Sequence, residues 1–240
     1  MLPTLRIPIL VEETIGRDRN DELIRLGVPI PRGVLRSGAL VTLTDPQEQS
    51  VLADVRPLTV WSDGSIKWLM VNAPVSVSSG QRATFHVCTA EAMPAVAQPP
   101  APKLRVDKDS GYTIDTGVAT FRVGLNGSLI ESATVQGVGL LDDAGARLSL
   151  TGCTGHPYRP VSTQLLLEEE GPLRVALVLK GHFVPVQETT GAPVRIEFKV
   201  RLIFVAGHSV VRLEVQLHNP SAARHPGGLW DLDDRGTAVF

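Results

Sequence analysis

The stretch Thr59-Val60-Trp61-Ser62-Asp63-Gly64-Ser65-Ile66-Lys67-Trp68-Leu69-Met70-Val71 sets two of the chain's three tryptophans on either side of an Asp-Gly pair. Asp-Gly between apolar runs is a strong short-range signal for a β-hairpin, because a two-residue type I′ turn needs positive φ at both central residues. With Asp63-Gly64 as that turn, Ser62 pairs with Ser65, Trp61 with Ile66 and Val60 with Lys67. Trp61, Ile66, Trp68 and Met70 then share one face, with the tryptophans as diagonal neighbours. Leu58, Val60, Leu69 and Val71 share the other. A three-residue turn shifts the register by one and brings Lys67 beside Trp61. Both faces are largely apolar, which predicts a hairpin central to a closed or covered β structure. Three roles are open to the tryptophans: large rings anchoring a core, an aromatic platform for a sugar ring with Asp63 and Lys67 as polar neighbours, or a partner interface.

The rest of the chain carries the same β signature. It has 240 residues, 43% of them apolar and 20% charged, with a formal net charge of −2. That charge leaves no electrostatic footprint for nucleic acid or an anionic membrane. Short alternating runs of Val, Thr and Leu recur between Gly- and Pro-containing turns, and long 3.6-residue periods are nearly absent. The one weak helical candidate is Arg19–Leu26. No run of apolar residues approaches the length that spans a membrane. The start of the chain lacks the basic and apolar regions of a secretory signal. Cys88 and Cys153 fit no zinc or redox spacing. A reducing cytoplasm is the expected location.

Residues 1–92 hold six or seven short strands at close intervals, the pattern of a small β-barrel or sandwich. Ala92–Lys103 reads Ala-Met-Pro-Ala-Val-Ala-Gln-Pro-Pro-Ala-Pro-Lys and cannot build a sheet ladder, so residues 93–103 are assigned as a polyproline-type linker. From residue 104 to 240 a second set begins, with a turn at Asn126-Gly127. Its strands lengthen toward Ser162–Glu169, Leu173–Val184, Val194–Val205 and Ser209–Leu217. Strict alternation from Val194 to Arg201 predicts a sheet with one wet face and one core face, part of an antiparallel β-sandwich. The closing Thr237-Ala238-Val239-Phe240 looks like the start of a strand, so the sandwich is expected to be incomplete at its C-terminal end.

Several motifs together resemble the exo-rhamnogalacturonan-lyase-like family, also called PcRGLX/YetA-like. These are the opening strand with Glu12 and Gly16, Gly27-Val28-Pro29-Ile30-Pro31-Arg32-Gly33, and Trp61-Ser62-Asp63-Gly64-Ser65-Ile66-Lys67-Trp68. Later come Glu168-Glu169-Glu170-Gly171-Pro172-Leu173-Arg174, and Asn219-Pro220 leading to Trp230-Asp231-Leu232-Asp233-Asp234-Arg235-Gly236. The resemblance implies an N-terminal RIFT-type β-barrel followed by part of a central β-sandwich. A C-terminal α/α toroid lies beyond, and that toroid is where the resemblance puts catalysis. No catalytic residue is therefore assigned to any position here.

Lyase chemistry next to a uronate carboxylate needs a base and a cation that stabilises the developing enolate. Gly155-His156-Pro157-Tyr158-Arg159 is the one loop where such groups cluster, and an ordinary inter-strand loop is its plainer reading. The six histidines fall singly and form no metal pair. Asp231, Asp233 and Asp234 have oxygens suited to a hard cation, or form an acidic turn. Glu168-Glu169-Glu170 reads as a solvated strand edge.

The candidate carbohydrate-binding residues are thus Trp61, Asp63, Lys67, Trp68, His156, Tyr158 and Trp230, and the metal candidates Asp231 and Asp234. No cofactor is expected in this chain, with Ca²⁺ reserved for a longer form. The expected partners are an acidic polysaccharide or oligosaccharide and the missing toroid, with neither nucleic acid nor membrane. The expected role is a non-catalytic β-region supporting that toroid. The alternatives are a stand-alone carbohydrate-binding module or a structural, assembly-forming β protein.

Overall fold

The computed structural model describes residues 5–90, 103–107, 111–152, 155–187 and 196–220, the second of these by backbone alone. Every regular element among them is a strand. The chain divides into two compact units, Met1–Ala101 with Gly171–Leu173, and Pro102–Glu170 with Arg174–Phe240.

The strands of the first unit are β1 (Arg6–Glu12), β2 (Arg19–Pro29), β3 (Leu40–Thr44), β4 (Ser50–Val51), β5 (Asp54–Val60), β6 (Ile66–Val77) and β7 (Arg82–Ala90). They form two antiparallel sheets, in the orders β1-β7-β3-β4 and β2-β6-β5. Both sheets turn apolar side chains into one core. Ile9, Leu43, Phe85 and Val87 come from the first sheet, and Val28, Ile66, Leu69, Val71, Ala73 and Val75 from the second. β6 lies between two partners, and this explains its nearly continuous apolar sequence: a central strand buries most of its length.

Two expectations are corrected in this unit. Arg19–Leu26 is not helical; it is the first part of β2, paired with residues 71–77 of β6. Ile24 and Leu26 pack on the core in regular alternation, and Leu23 on the opposite face breaks the pattern; the ladder itself is irregular only between Arg19 and Glu22, where Asp21 has φ 51°. The central hairpin also turns differently, as described below.

In the second unit β8 (Lys103–Asp107), β9 (Gly111–Asp115), β10 (Ala119–Gly124), β11 (Ser132–Val135) and β12 (Val138–Gly139) make one antiparallel sheet in the order β12-β11-β10-β9-β8. A second sheet runs β13-β14-β15-β16-β17, from β13 (Leu150–Thr151), β14 (Pro157–Glu170), β15 (Arg174–Pro185), β16 (Glu197–Val205) and β17 (Val211–His218). Ile114, Phe121 and Val123 of one sheet share a core with Val175, Leu177, Leu179, Phe198, Val200, Leu202 and Phe204 of the other. The Phe121 and Phe204 rings meet at 5.3 Å across that core, tilted by 50°. This is a sandwich of two meandering sheets.

Alternation in β16 holds through Arg201, after which Leu202, Ile203 and Phe204 are all buried. Asn126-Gly127 does not close a two-residue hairpin. β10 and β11 first pair at Arg122 and Ser132, and the connection between them is pinned by the Ser128 amide donating to Asn126 Oδ1 at 2.9 Å. At Glu168-Glu169-Glu170 strand β14 has β15 as its one ladder partner, because β13 pairs only with Pro157 and Tyr158, and Glu168 and Glu170 are exposed, as expected of a solvated edge. The exception is Glu169, whose side chain turns inward and pairs with Arg174, while Glu168 pairs with Arg201.

Candidate functional site

The hairpin between β5 and β6 gathers a dense set of polar contacts. The Trp61 carbonyl accepts the Gly64 amide at 2.9 Å, and the Trp61 amide donates to the Ser65 carbonyl at 2.7 Å. The loop is therefore Ser62-Asp63-Gly64, a three-residue turn with Gly64 alone at positive φ (78°). The two-residue register is overturned and the shifted one is observed, with Lys67 Nζ 4.6 Å from the centre of the Trp61 ring.

The ladder above the turn contains two bulges. Pro57 pairs with Leu69, Thr59 with Trp68 and Val60 with Ile66, so Leu58 on β5 and Lys67 on β6 are each supernumerary. These bulges rotate side chains out of the expected faces. Leu58 and Val60 point to solvent, whereas Ile66, Leu69 and Val71 enter the core. Trp68 is 39% exposed rather than a core anchor. Its ring lies on β2 over Gly27, where an added Cβ would come within 3.4 Å of the indole edge. Trp61 is half-buried, and its indole N–H donates to the Ile30 carbonyl at 3.0 Å.

Asp63 organises the turn. Its Oδ1 accepts the Ser65 amide at 3.0 Å and the Ser65 hydroxyl at 2.6 Å. Ser65 is fully buried, and its Oγ in turn accepts the Gly33 amide at 2.9 Å. Arg32 Nε donates to Asp63 Oδ2 at 3.3 Å, and the Arg36 guanidinium donates to the Asp63 carbonyl at 3.4 Å. The Ser65 hydroxyl and amide, with Arg32 behind them, hold the Asp63 carboxyl down at about 2. Backbone bonds from Ile66 to Leu35 and from Ile30 to Lys67 complete the join. The segments Gly27–Gly33 and Trp61–Trp68 thus form one clasp.

Of the residues singled out from the sequence, the structure brings Lys67 to Trp61 and puts Asp63 in the turn beside them, while Trp68 lies over Gly27 instead; Arg32, Gly33 and Ser65 were missed. A carboxylate two residues before a serine in a tight turn is a recognisable Asx-type pattern, and it would have drawn attention to Ser65. Glu13 was missed as well. Its side chain is 1% exposed. It accepts the amides of Ile15, Gly16, Arg17 and Gly80 at 2.8–3.2 Å, with Arg19 at 3.6 Å. Those donors, Gly80 foremost, hold its carboxyl at about 2. A base or acid for catalysis needs the reverse, a proton affinity raised toward the working pH. Glu13 and Asp63 are structural anions.

The second unit holds the remaining described candidates. His156 is exposed, in the loop before β14. Tyr158 is half-buried, paired with Leu150 and Pro185 and packed on the sandwich core, with its ring edge against Gly152. Trp230, Asp231, Asp233 and Asp234 lie outside the described residues, as does Cys153. Among the described residues no cluster of three or more His, Cys, Asp or Glu is arranged to hold a metal. No helix among them is long and apolar enough to cross a membrane.

Comparison with known proteins places this geometry. Residues 15–88 match the family model described as the PcRGLX-like N-terminal RIFT barrel domain. That span begins two residues past Glu13 and contains the whole clasp. The chain is also similar to the uncharacterized protein YetA of Bacillus subtilis (strain 168), at 26% identity over 211 residues. The match covers 82% of this chain and 23% of YetA, so the chain spans about a quarter of the relative's length.

Proposed function

We propose, from the match of residues 15–88 to the PcRGLX-like N-terminal RIFT barrel domain, that this chain is the non-catalytic N-terminal β-region of a carbohydrate-active protein resembling rhamnogalacturonan lyases. Its task is to support a C-terminal α/α toroid in which the bond is cleaved. The observation that carries this reading is the use made of the clasp. Asp63 is consumed by Ser65 and Arg32, the Trp61 indole N–H by Ile30, and the Lys67 ammonium by the Trp61 ring. The motif that most resembles the family is spent on joining two strands and a loop, which leaves it no spare acid, base or nucleophile.

The test is direct. The 240-residue chain is incubated with rhamnogalacturonan, and unsaturated product is followed by ultraviolet absorbance. The expected result is no product above the no-protein control. Product formation that follows protein concentration overturns the reading.

One observation favours a second reading, carbohydrate recognition by the chain itself. Trp68 is exposed and backed by Gly27, which leaves one indole face toward solvent. Quenching of tryptophan fluorescence by a saccharide, lost in Trp68→Ala, supports it. Identical titrations of the two proteins overturn it.

A further inference from the structure

The outer face of the second sheet in the sandwich carries a row of side chains, Lys180, Lys199 and Gln216, with no side-chain partner among the described residues. Lys180 on β15 stands directly opposite Lys199 on β16, and Lys199 stands opposite Gln216 on β17. In the next row His182, Glu197 and His218 lie across the same three strands. Directly paired residues in an antiparallel ladder project to the same side, their Cβ atoms about 5 Å apart. These six side chains line one open groove of about 320 Å³, floored by Gly181 and Phe198.

Like charges placed directly opposite one another destabilise a sheet. Elsewhere on this face the cations are compensated: Arg201 bridges Glu168 and Glu214, and Arg212 also reaches Glu214. Among the described residues, Lys180 and Lys199 have no carboxylate within ion-pair distance. The single acid of the groove, Glu197, is held by His218 at 3.5 Å. Two ammonium groups against that one carboxylate leave the row positive. Gln216 and His182 add neutral hydrogen-bonding groups of the kind that meet sugar hydroxyls.

We propose that this groove is an oxyanion-binding subsite, with Lys180 and Lys199 clamping the charge and an acidic saccharide, charged through its carboxylate, as the ligand class. The oxyanion chemistry stands on the lysine pair. The choice of a saccharide rests on the function proposed above. An inorganic oxyanion offers the same charge without the sugar contacts of Gln216 and His182, and is separated from the saccharide by experiment.

The test is calorimetric titration of the 240-residue chain with trigalacturonate, with the neutral galactose trisaccharide and with inorganic phosphate. Variants Lys180→Gln, Lys199→Gln, the double Lys180→Gln/Lys199→Gln and Lys199→Arg are titrated alongside, each checked for an unchanged unfolding midpoint. Trigalacturonate is expected to bind, the neutral trisaccharide and phosphate are not, and either glutamine variant weakens binding about tenfold. Lys199→Arg retains binding because it retains the charge. Trigalacturonate binding unchanged in the double glutamine variant overturns the groove and leaves the carbohydrate reading standing. Lysine-dependent phosphate binding without trigalacturonate binding overturns the saccharide assignment. Binding of neither overturns the proposal.

Discussion

The carboxylate of Asp63 accepts the hydroxyl of Ser65 at 2.6 Å, inside a turn where Ser65 is fully buried. This one bond explains why the hairpin takes three residues in its loop. Asp63 bends the chain so that the Ser65 amide and hydroxyl both reach Oδ1, and the buried hydroxyl then anchors the Gly33 amide. The turn is therefore set by a tertiary contact to the Gly27–Gly33 segment as well as by its own dipeptide.

Trp61→Phe keeps most of the ring under Lys67 but removes the indole N–H that satisfies the Ile30 carbonyl. Ile30 is 2% exposed, so water replaces that donor poorly. The expected loss is about 1 kcal/mol of stability, read as a lower urea midpoint with an unchanged slope.

Glu13→Gln should flatten the acid side of the stability profile. The ionised carboxylate is stabilised in the fold, where its proton affinity falls from 4.5 to about 2. Between those values the unfolded chain binds more protons, so stability rises with pH through that window and is lost as pH falls through it. Above it the contribution is fully present. Urea unfolding from pH 2 to 6 should show a steeper acid limb in the parent than in Glu13→Gln; equal limbs would assign the acid sensitivity to other groups.

Gly181→Ala tests the packing of the sandwich. An added Cβ would lie 2.2 Å from the Val161 carbonyl oxygen and 2.4 Å from Cζ of Phe198, which is itself in edge contact with Phe183. The backbone and a core ring must both give way. A loss of about 3 kcal/mol is expected, measured as the decrease in unfolding free energy.

What the sequence showed and what it hid follow from the range of the interactions involved. The all-β class was legible because alternation and turn residues are local, as in β16 from Glu197 to Arg201. The Asp63-Gly64 dipeptide was legible as a turn but not as a turn type, since two-residue and three-residue loops both accept it. The choice depends on Gly33, far away in sequence. Arg19–Leu26 looked weakly helical because the adjacent Leu23 and Ile24 break its alternation, and pairing with β6 overrides local preference. Glu13 was invisible for a similar reason: one of its four amide partners, Gly80, lies 67 residues along the chain. Lys180 and Lys199 become neighbours only through the β15–β16 register.

The central claim is that the Trp61–Trp68 motif is spent on the fold, and a double-mutant cycle of Asp63→Asn and Ser65→Ala measures it most directly. Unfolding free energies of the parent, the two single variants and the double variant are determined in urea at pH 7. The clasp predicts that each single change destabilises the protein and that the double variant loses much less than the two losses combined. Strictly additive losses, or single variants as stable as the parent, would contradict the account and return Asp63 to the list of residues free to bind a ligand.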